Sequence, residues 1–545
     1  WCGKCIANNS SRNIYINAGT SSALTKLANT TTVKNALTPS VFNVSNTTET
    51  QSLIEWMLAN KTIADPLHST PTEISYSNNN PVIFFGDNQG YLHAIDSATG
   101  SELYAFMPQE LLSNQQHVKA NLASVNGNHI YGMDGEIVQW QKSDGTKYIY
   151  SGMRRGGSSY YALDVTTRDT PSLKWKIDPS SSGFSRLGQT WSKPVKTKIV
   201  LSGTTRDVLI FGGGYDPAQD NSNTRTADNK GVGVYIVDAD DGELLWSATA
   251  ANSSNPAMKY SIPSDVKAID IDGDGAVDQI YVGDMGGQLW RFDVNVDSNT
   301  ITYAVIADIA SDGSAANNRR FYHAPDVSVI KGHGGQMLAV AIGSGYRAHP
   351  NNGVIQDNFY MFKQPLEIGD NYPSPIVQSE LFDATSNTIG GTSDAAVNVA
   401  QRELDDADGW YITLNNGGEK VLASSLTVDH AIWFTTFQPS LTTAGCADRK
   451  GTSRLYRVSV ADATPDYLNV VPQDPNKTKL DSANSCSNAN ITCLSSDRSM
   501  ILRNTTLPPR PALLNIGGKR LIGVGSEYYP ALNNKTTNMY WSNSQ

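Results

Sequence analysis

Pro81-Val-Ile-Phe-Phe-Gly-Asp-Asn-Gln-Gly-Tyr-Leu-His-Ala-Ile-Asp96 carries the pattern that decides the fold. One apolar run ends on Gly86-Asp87. Gln89-Gly90 supplies a tight turn, and a second apolar run ends on Asp96. Apolar and aromatic runs of this length, bounded by Gly and Asp, read as strand, turn, strand, because Gly reaches backbone angles that close a short hairpin. Ser97-Ala-Thr-Gly100 makes the next turn, and Glu102-Leu-Tyr-Ala-Phe106 begins a third strand.

The same grammar recurs along the chain. Tyr148-Ile-Tyr-Ser-Gly152 is followed by Tyr160-Tyr-Ala-Leu-Asp164 and Trp175. Val208-Leu-Ile-Phe-Gly212 is followed by Val234-Tyr-Ile-Val-Asp238, Asp241-Gly-Glu243 and Trp246. Gln279-Ile-Tyr-Val-Gly-Asp284 leads to Gln288-Leu-Trp-Arg-Phe-Asp293. Weaker copies pair Leu338–Gly343 with Phe359–Phe362 and Ala431–Thr435 with Leu455–Val458, and Arg520–Gly525 is a half-copy. Successive second strands lie about 55–95 residues apart, against about 40–50 for a four-stranded propeller blade, so loop insertions are expected. One such unit cannot bury both faces, whereas a ring of them buries each sheet on its neighbours. The expected fold is all-β, a β-propeller of about seven blades with loop insertions. A pair of β-sandwiches is the competing architecture, disfavoured by repetition of one phrase.

Composition agrees. The 545 residues are 39% hydrophobic and only 17% charged, with 45 Gly and 24 Tyr. Many turns and short strands suit these values. The net charge is −10 and the pI about 5.3, with no basic run, which argues against nucleic acid as a partner. No stretch of about 18 apolar residues spans a membrane. The chain starts at Trp1, as expected of a processed product or fragment.

Residues 1–64 read as an N-terminal segment packed on the propeller of residues 65–545. The segment holds a strand-like run at Asn13–Asn17 and one helix near Thr50–Asn60, whose Leu53, Ile54, Met57 and Leu58 share a face. Cys2 and Cys5 have CxxC spacing without a second pair, so zinc is disfavoured. Cys486 and Cys493 lie in a Ser/Asn-rich loop that a disulfide would staple. With Cys446 the count is odd, and an oxidising compartment is expected.

The chemistry-bearing stretch is Asp270-Ile-Asp-Gly-Asp-Gly-Ala-Val-Asp278. Asp270, Asp272, Asp274 and Asp278 stand at loop positions one, three, five and nine of an EF-hand loop, and Gly275 allows the sharp turn at position six. Ala276 offers a backbone carbonyl at position seven. Calcium takes six to eight oxygens at about 2.3–2.6 Å, which such a loop supplies. Two departures matter: position twelve is Tyr281 rather than a bidentate Glu, and the flanks are strand-like. The expected site is therefore a calcium clamp in a β-hairpin, structural rather than catalytic, with magnesium ranked second. The clusters at Asp238–Gly242 and Asp312-Gly313 read as turns.

No catalytic constellation stands out. His68, His323 and His349 lack metal-ligand spacing, and Gly-x-Ser-x-Gly is absent. His68, Tyr346 and Arg347 read as hydrogen-bonding groups at blade corners, with a ligand groove as the alternative.

Several phrases together resemble the C-terminal propeller of the PilC/PilY family of type IV pilus-associated proteins. They are Asp65-Pro-Leu-His-Ser-Thr-Pro71, Phe85–Ala94, Asp270–Phe292, Gly343-Ser-Gly-Tyr-Arg-Ala-His-Pro350 with Asp357–Tyr360, and Gly409–Leu414 with Gly418–Val421. The resemblance implies a bacterial surface protein, at the pilus tip or outer membrane-associated or secreted, that is no enzyme. It would support pilus assembly, adhesion and twitching motility, with minor pilins and host or abiotic surfaces as partners. It further implies that the calcium loop, matched by Asp270, Asp272, Asp274, Ala276 and Asp278, regulates extension against retraction. Two rivals are a quinoprotein-like dehydrogenase, suggested by Ala94-Ile-Asp-Ser-Ala-Thr-Gly100, and a glycan-binding adhesin without a pilus role. The dehydrogenase lacks an adjacent cysteine pair.

Overall fold

A computed structural model describes residues 12–531, apart from 19–23, 29, 31–32, 34–36, 77–79, 123, 126–127, 333–334, 370–371, 392, 441–450, 466–494 and 504–505. All five cysteines lie outside the described residues. Among the described residues, seven sheets of three to six strands follow one another along the chain, with one further two-stranded ribbon.

The chain forms two compact units: residues 1–197, 206–217 and 229–254, and residues 198–205, 218–228 and 255–545. In the first, the opening phrase forms the strands Val82–Gly86 and Leu92–Asp96, joined by the turn at Gln89-Gly90. The next sheet runs Ser172–Ile177, Tyr160–Asp164, Lys147–Gly152, Ile137–Gln141, and the third Val195–Leu201, Thr204–Gly212, Gly233–Asp238, Leu244–Thr249, of which residues 198–205 belong to the second unit. In the second unit, a sheet of Lys267–Ile269, Gln279–Gly283, Gln288–Asn295 and Thr300–Asp308 precedes two five-stranded sheets and one of three strands. Neighbouring strands of the four-stranded sheets are neighbours in sequence, as local hairpins dictate. The half-copy at Arg520–Gly525 is the middle of that last sheet, flanked by Ala512–Ile516 and Glu527–Pro530.

The aromatic positions explain the packing. Tyr160 meets Phe211 at 4.5 Å and Phe184 stacks on Tyr235 at 5.0 Å, filling the space between the second and third sheets. Between the fifth and sixth, Phe359 stacks on Phe434 at 3.8 Å. Rings of this size exclude much water per residue and so dominate the inter-sheet burial.

The repeated Gly-Asp phrase has a common turn chemistry. Asp87 Oδ1 accepts the amides of Gly90 and Tyr91, and its Oδ2 meets His93 Nε2 at 3.2 Å. Asp284 accepts the amides of Gly286 and Gln288 and, at 2.8 Å, the Trp290 indole N–H. A carboxylate buried at the turn thus satisfies amides that no strand partner reaches.

The N-terminal region is more integrated than the sequence suggests. Its strand Ile14–Ile16 pairs in parallel with Glu102–Met107 in the first sheet. The expected helix is Thr47–Ala59, capped by Asn46, and it buries Leu53, Ile54 and Met57, while Leu58 packs against the same core. A short helical turn, Pro39–Phe42, precedes it. Arg12 is buried here. Its guanidinium donates to Glu102 at 2.7 and 2.8 Å, and Glu102 also meets His93 Nδ1 at 2.7 Å.

Candidate metal site

Pairing of Lys267–Ile269 with Gln279–Gly283 ends at Ile269↔Gln279, leaving residues 270–278 as the loop of a hairpin in the second unit. Gly273 and Gly275 have φ of +83° and +88°, values that favour glycine and wind the loop tightly. The loop's polar half is exposed. Its exit is not, since Ala276, Val277 and Asp278 retain only 6%, 4% and 6% exposure.

Carboxylate oxygens of Asp270, Asp272 and Asp278 all lie within 4.8 Å of one another. Asp274 is not in that cluster, and its Oδ1 accepts the Ala276 amide at 2.7 Å. Asp270 accepts the amides of Gly273 and Gly275 at 2.7 and 2.8 Å, and Asp278 Oδ2 accepts the Ile271 amide at 2.6 Å. Asp278 is fixed by its backbone as well: its N–H donates to Ile269 and its carbonyl accepts from Val294 at 2.8 Å. The Asp278 carboxyl is pushed above its ordinary value by burial, with Asp272 and Asp270 adding repulsion that the amides of Ile271 and Asp272 only partly offset. Two unit charges about 4.8 Å apart repel by about 3 kcal/mol at an effective dielectric of 20. Solvent screens this for exposed Asp272, but least for buried Asp278. The donor set is all oxygen, partly desolvated and short of positive charge, which fits a hard divalent cation.

Tyr281, at position twelve, points into the core and donates to Gln279 at 3.0 Å. The missing Glu is thus replaced by a packing residue, and the loop has no twelfth-position ligand. Below the loop, Arg291 grips Asp293 with two nitrogens at 2.7 and 2.8 Å, and Gln279 bonds the same carboxylate at 2.8 Å.

The blade-corner residues take up hydrogen bonds. His68 Nδ1 meets Asp134 at 2.6 Å, and His349 Nε2 lies 3.5 Å from Asp220. Tyr346 donates to the Gln219 carbonyl under the Arg320 guanidinium, which sits 4.0 Å above its ring. The backbone of Arg347 bonds Gly345. Sequence reasoning passed over Arg320, which is buried and ties Gln219, Ser222 and Asn318 together. Burial of an arginine leaves no mark on periodicity.

Residues 41–317 match the family model described as the PilY1 beta-propeller domain. The chain belongs to this family. Its fold is accordingly the β-propeller, with the successive sheets as blades. Two type IV pilus biogenesis factor PilY1 homologs of Xylella fastidiosa are 26% identical over 373 residues and 28% identical over 409. These matches take in 67% and 70% of this chain, but 28% and 26% of the relatives. The type IV pilus biogenesis factor PilY1 of Pseudomonas aeruginosa strain UCBPP-PA14 is 29% identical over 217 residues, or 39% of this chain and 17% of that protein. The chain therefore spans about a quarter or less of the curated relatives' length. The crystal structure of the Pseudomonas aeruginosa PilY1 C-terminal domain is similar with a TM-score of 0.57 at 17% identity, over 83% of this chain and 92% of that one. The relatives bear the name of a biogenesis factor rather than of an enzyme. No helix among the described residues is long and apolar enough to cross a membrane.

Proposed function

We propose that this chain is the propeller portion of a type IV pilus biogenesis factor, and that calcium held in residues 270–278 regulates pilus extension against retraction. The relatives' names support the pilus role. The convergence of Asp270, Asp272 and Asp278 on one hairpin loop is the observation that supports the metal. These three carboxylates would hold the ion, and Asp274 and the Ala276 carbonyl complete the donor set. The ion's contribution is charge neutralisation and cross-linking of the loop, with no bond made or broken. Adhesion to host or abiotic surfaces, contact with minor pilins, twitching motility and a location at the pilus tip or cell surface belong to the same reading. Residues 1–64 serve it as a segment packed on the propeller.

Calorimetry on metal-stripped protein tests the metal. Calcium binding is expected, and Asp270→Ala or Asp278→Ala should weaken it by at least about tenfold, as loss of a charged ligand implies. No binding at millimolar calcium would overturn the assignment. In cells, a strain carrying Asp278→Ala should show altered pilus number and twitching, and wild-type behaviour in both would remove the regulatory role.

A further inference from the structure

We infer that calcium occupancy is read out at a second place, the hairpin tip Lys198–Thr205, through the single peptide unit that joins Ala276 to Val277. The inference rests on the calcium reading above and names the element that reading would move.

The Val277 amide donates to the Lys198 carbonyl at 2.9 Å, both within the second unit. The described chain has no cis peptide bond, so the Ala276–Val277 unit is trans. In a planar trans peptide the C=O and N–H point in opposite directions. With the Val277 N–H aimed at the hairpin, the Ala276 carbonyl faces away from it. Ala276 is also the residue whose carbonyl the loop spacing assigns to the cation. One rigid plane therefore has two ends, one for the ion and one for the hairpin. A cation that draws on the carbonyl fixes the tilt of the plane, and so fixes the N–H on Lys198.

The rest of the geometry makes this bond consequential. Ala276, Val277 and Asp278 are buried, so a change in the plane's tilt is passed to the residues packed around it rather than lost to solvent. The hairpin tip is the opposite. Past the buried Ile199, its turn residues Ser202, Gly203, Thr204 and Thr205 are exposed, so the turn itself has little besides its anchors to hold it. A second anchor is Asn299, whose Oδ1 accepts the Ser202 amide and whose Nδ2 donates to Ser202 Oγ at 3.2 Å. Ser202 and Asn299 both have positive φ, 51° and 53°, a conformation non-glycine residues hold only when neighbours enforce it. The two anchors are linked, because Asp278 accepts the Val294 amide on the strand Gln288–Asn295 that leads into the Asn299 turn. Asp278 is thus at once a ligand candidate and a brace for the second anchor.

Hydrogen–deuterium exchange read by mass spectrometry, on the chain with calcium or with a chelator, tests this directly. Calcium is expected to slow exchange in 270–278 and, by at least about fivefold, in 198–205, while the strand Tyr160–Asp164 stays unchanged. Val277→Pro removes the N–H donor. It should lose the calcium effect at 198–205. If proline disturbs the loop, Asn299→Ala in the otherwise intact chain should shrink the effect at 198–205 and leave 270–278 protected. Calcium protection confined to 270–278 in the wild type would overturn the inference and leave the metal site standing. Absence of calcium binding by calorimetry would remove both.

Discussion

Replacing Glu102 by Gln removes one charge from the centre of the buried network formed by Arg12, His93 and Asp87, and the structure sets the size of the effect. Glu102 is 2% exposed, accepts two bonds from Arg12 and meets His93. Burial alone would raise its pKa, but hydrogen bonds from His93 and Arg12 reverse this and bring it from 4.5 to about 2. A shift of that size is worth about 3 kcal/mol, at 1.36 kcal/mol per pKa unit. A similar figure, about 3–5 kcal/mol, is expected when one partner of a buried ion pair is deleted. The sign follows from linkage. A depressed carboxyl contributes stability that is full above about pH 4.5 and is lost as pH falls through about 2. His93 acts in the other direction. Burial lowers its pKa, Asp87 and Glu102 more than reverse that, and the net rise means its contribution is full below 6.5 and lost as pH rises through the folded value. Wild-type stability of the first unit should therefore be broadest between about pH 4.5 and 6.5. Urea unfolding, followed by exchange of amides in the strands Ile14–Ile16 and Glu102–Met107, gives the measurement. Glu102→Gln should lose about 3 kcal/mol at pH 6 and show a flatter acid limb. A variant within about 1 kcal/mol of wild type, with an unchanged acid limb, would refute the electrostatic account and leave packing as the sole support.

Three further outcomes follow from specific contacts. Gly86→Ala would place a Cβ 1.8 Å from the Met133 carbonyl oxygen, so it should cost at least about 3 kcal/mol by chemical denaturation, with Gly145→Ala, at an open turn, as the milder control. Phe359→Ala deletes a ring stacked on Phe434 at 3.8 Å and should cost about 3–5 kcal/mol, whereas Phe359→Leu should recover part of it. Burial raises the Asp284 carboxyl to about 7 despite the Trp290 and amide donors, so the second unit should lose stability as pH rises from about 4 to about 7, and Asp284→Asn should flatten that slope in thermal scans.

What could be read in advance was whatever is local. Alternation of apolar runs with Gly-Asp turns marks hairpins, because turn geometry and strand periodicity are set within a few residues. The strands Val82–Gly86, Tyr160–Asp164, Gln279–Gly283 and Gln288–Asn295 lie where those runs place them. The insertions were less legible. The fifth sheet orders its strands with Phe382–Asp383 beyond Gly409–Thr413, around a helix Asp394–Asp406 that the repeat pattern does not announce. Parallel pairing of Ile14 with Ala105 was illegible for another reason: a contact so far apart in sequence leaves no periodic trace.

The candidate site divides in the same way. Sequence alone determined which residues carry oxygen in the loop, since the spacing of Asp270, Asp272, Asp274 and Asp278 is a local property. It also determined that the flanks are strands and that Tyr281 leaves position twelve without a carboxylate. Only the tertiary structure decided which carboxylates converge: the buried Asp278 lies close to Asp270 and Asp272, while Asp274 Oδ1 accepts the Ala276 amide, and loop spacing treats all four alike. Only it showed that Val277 reaches Lys198, for that bond uses backbone atoms every residue possesses, and no side-chain pattern can announce it.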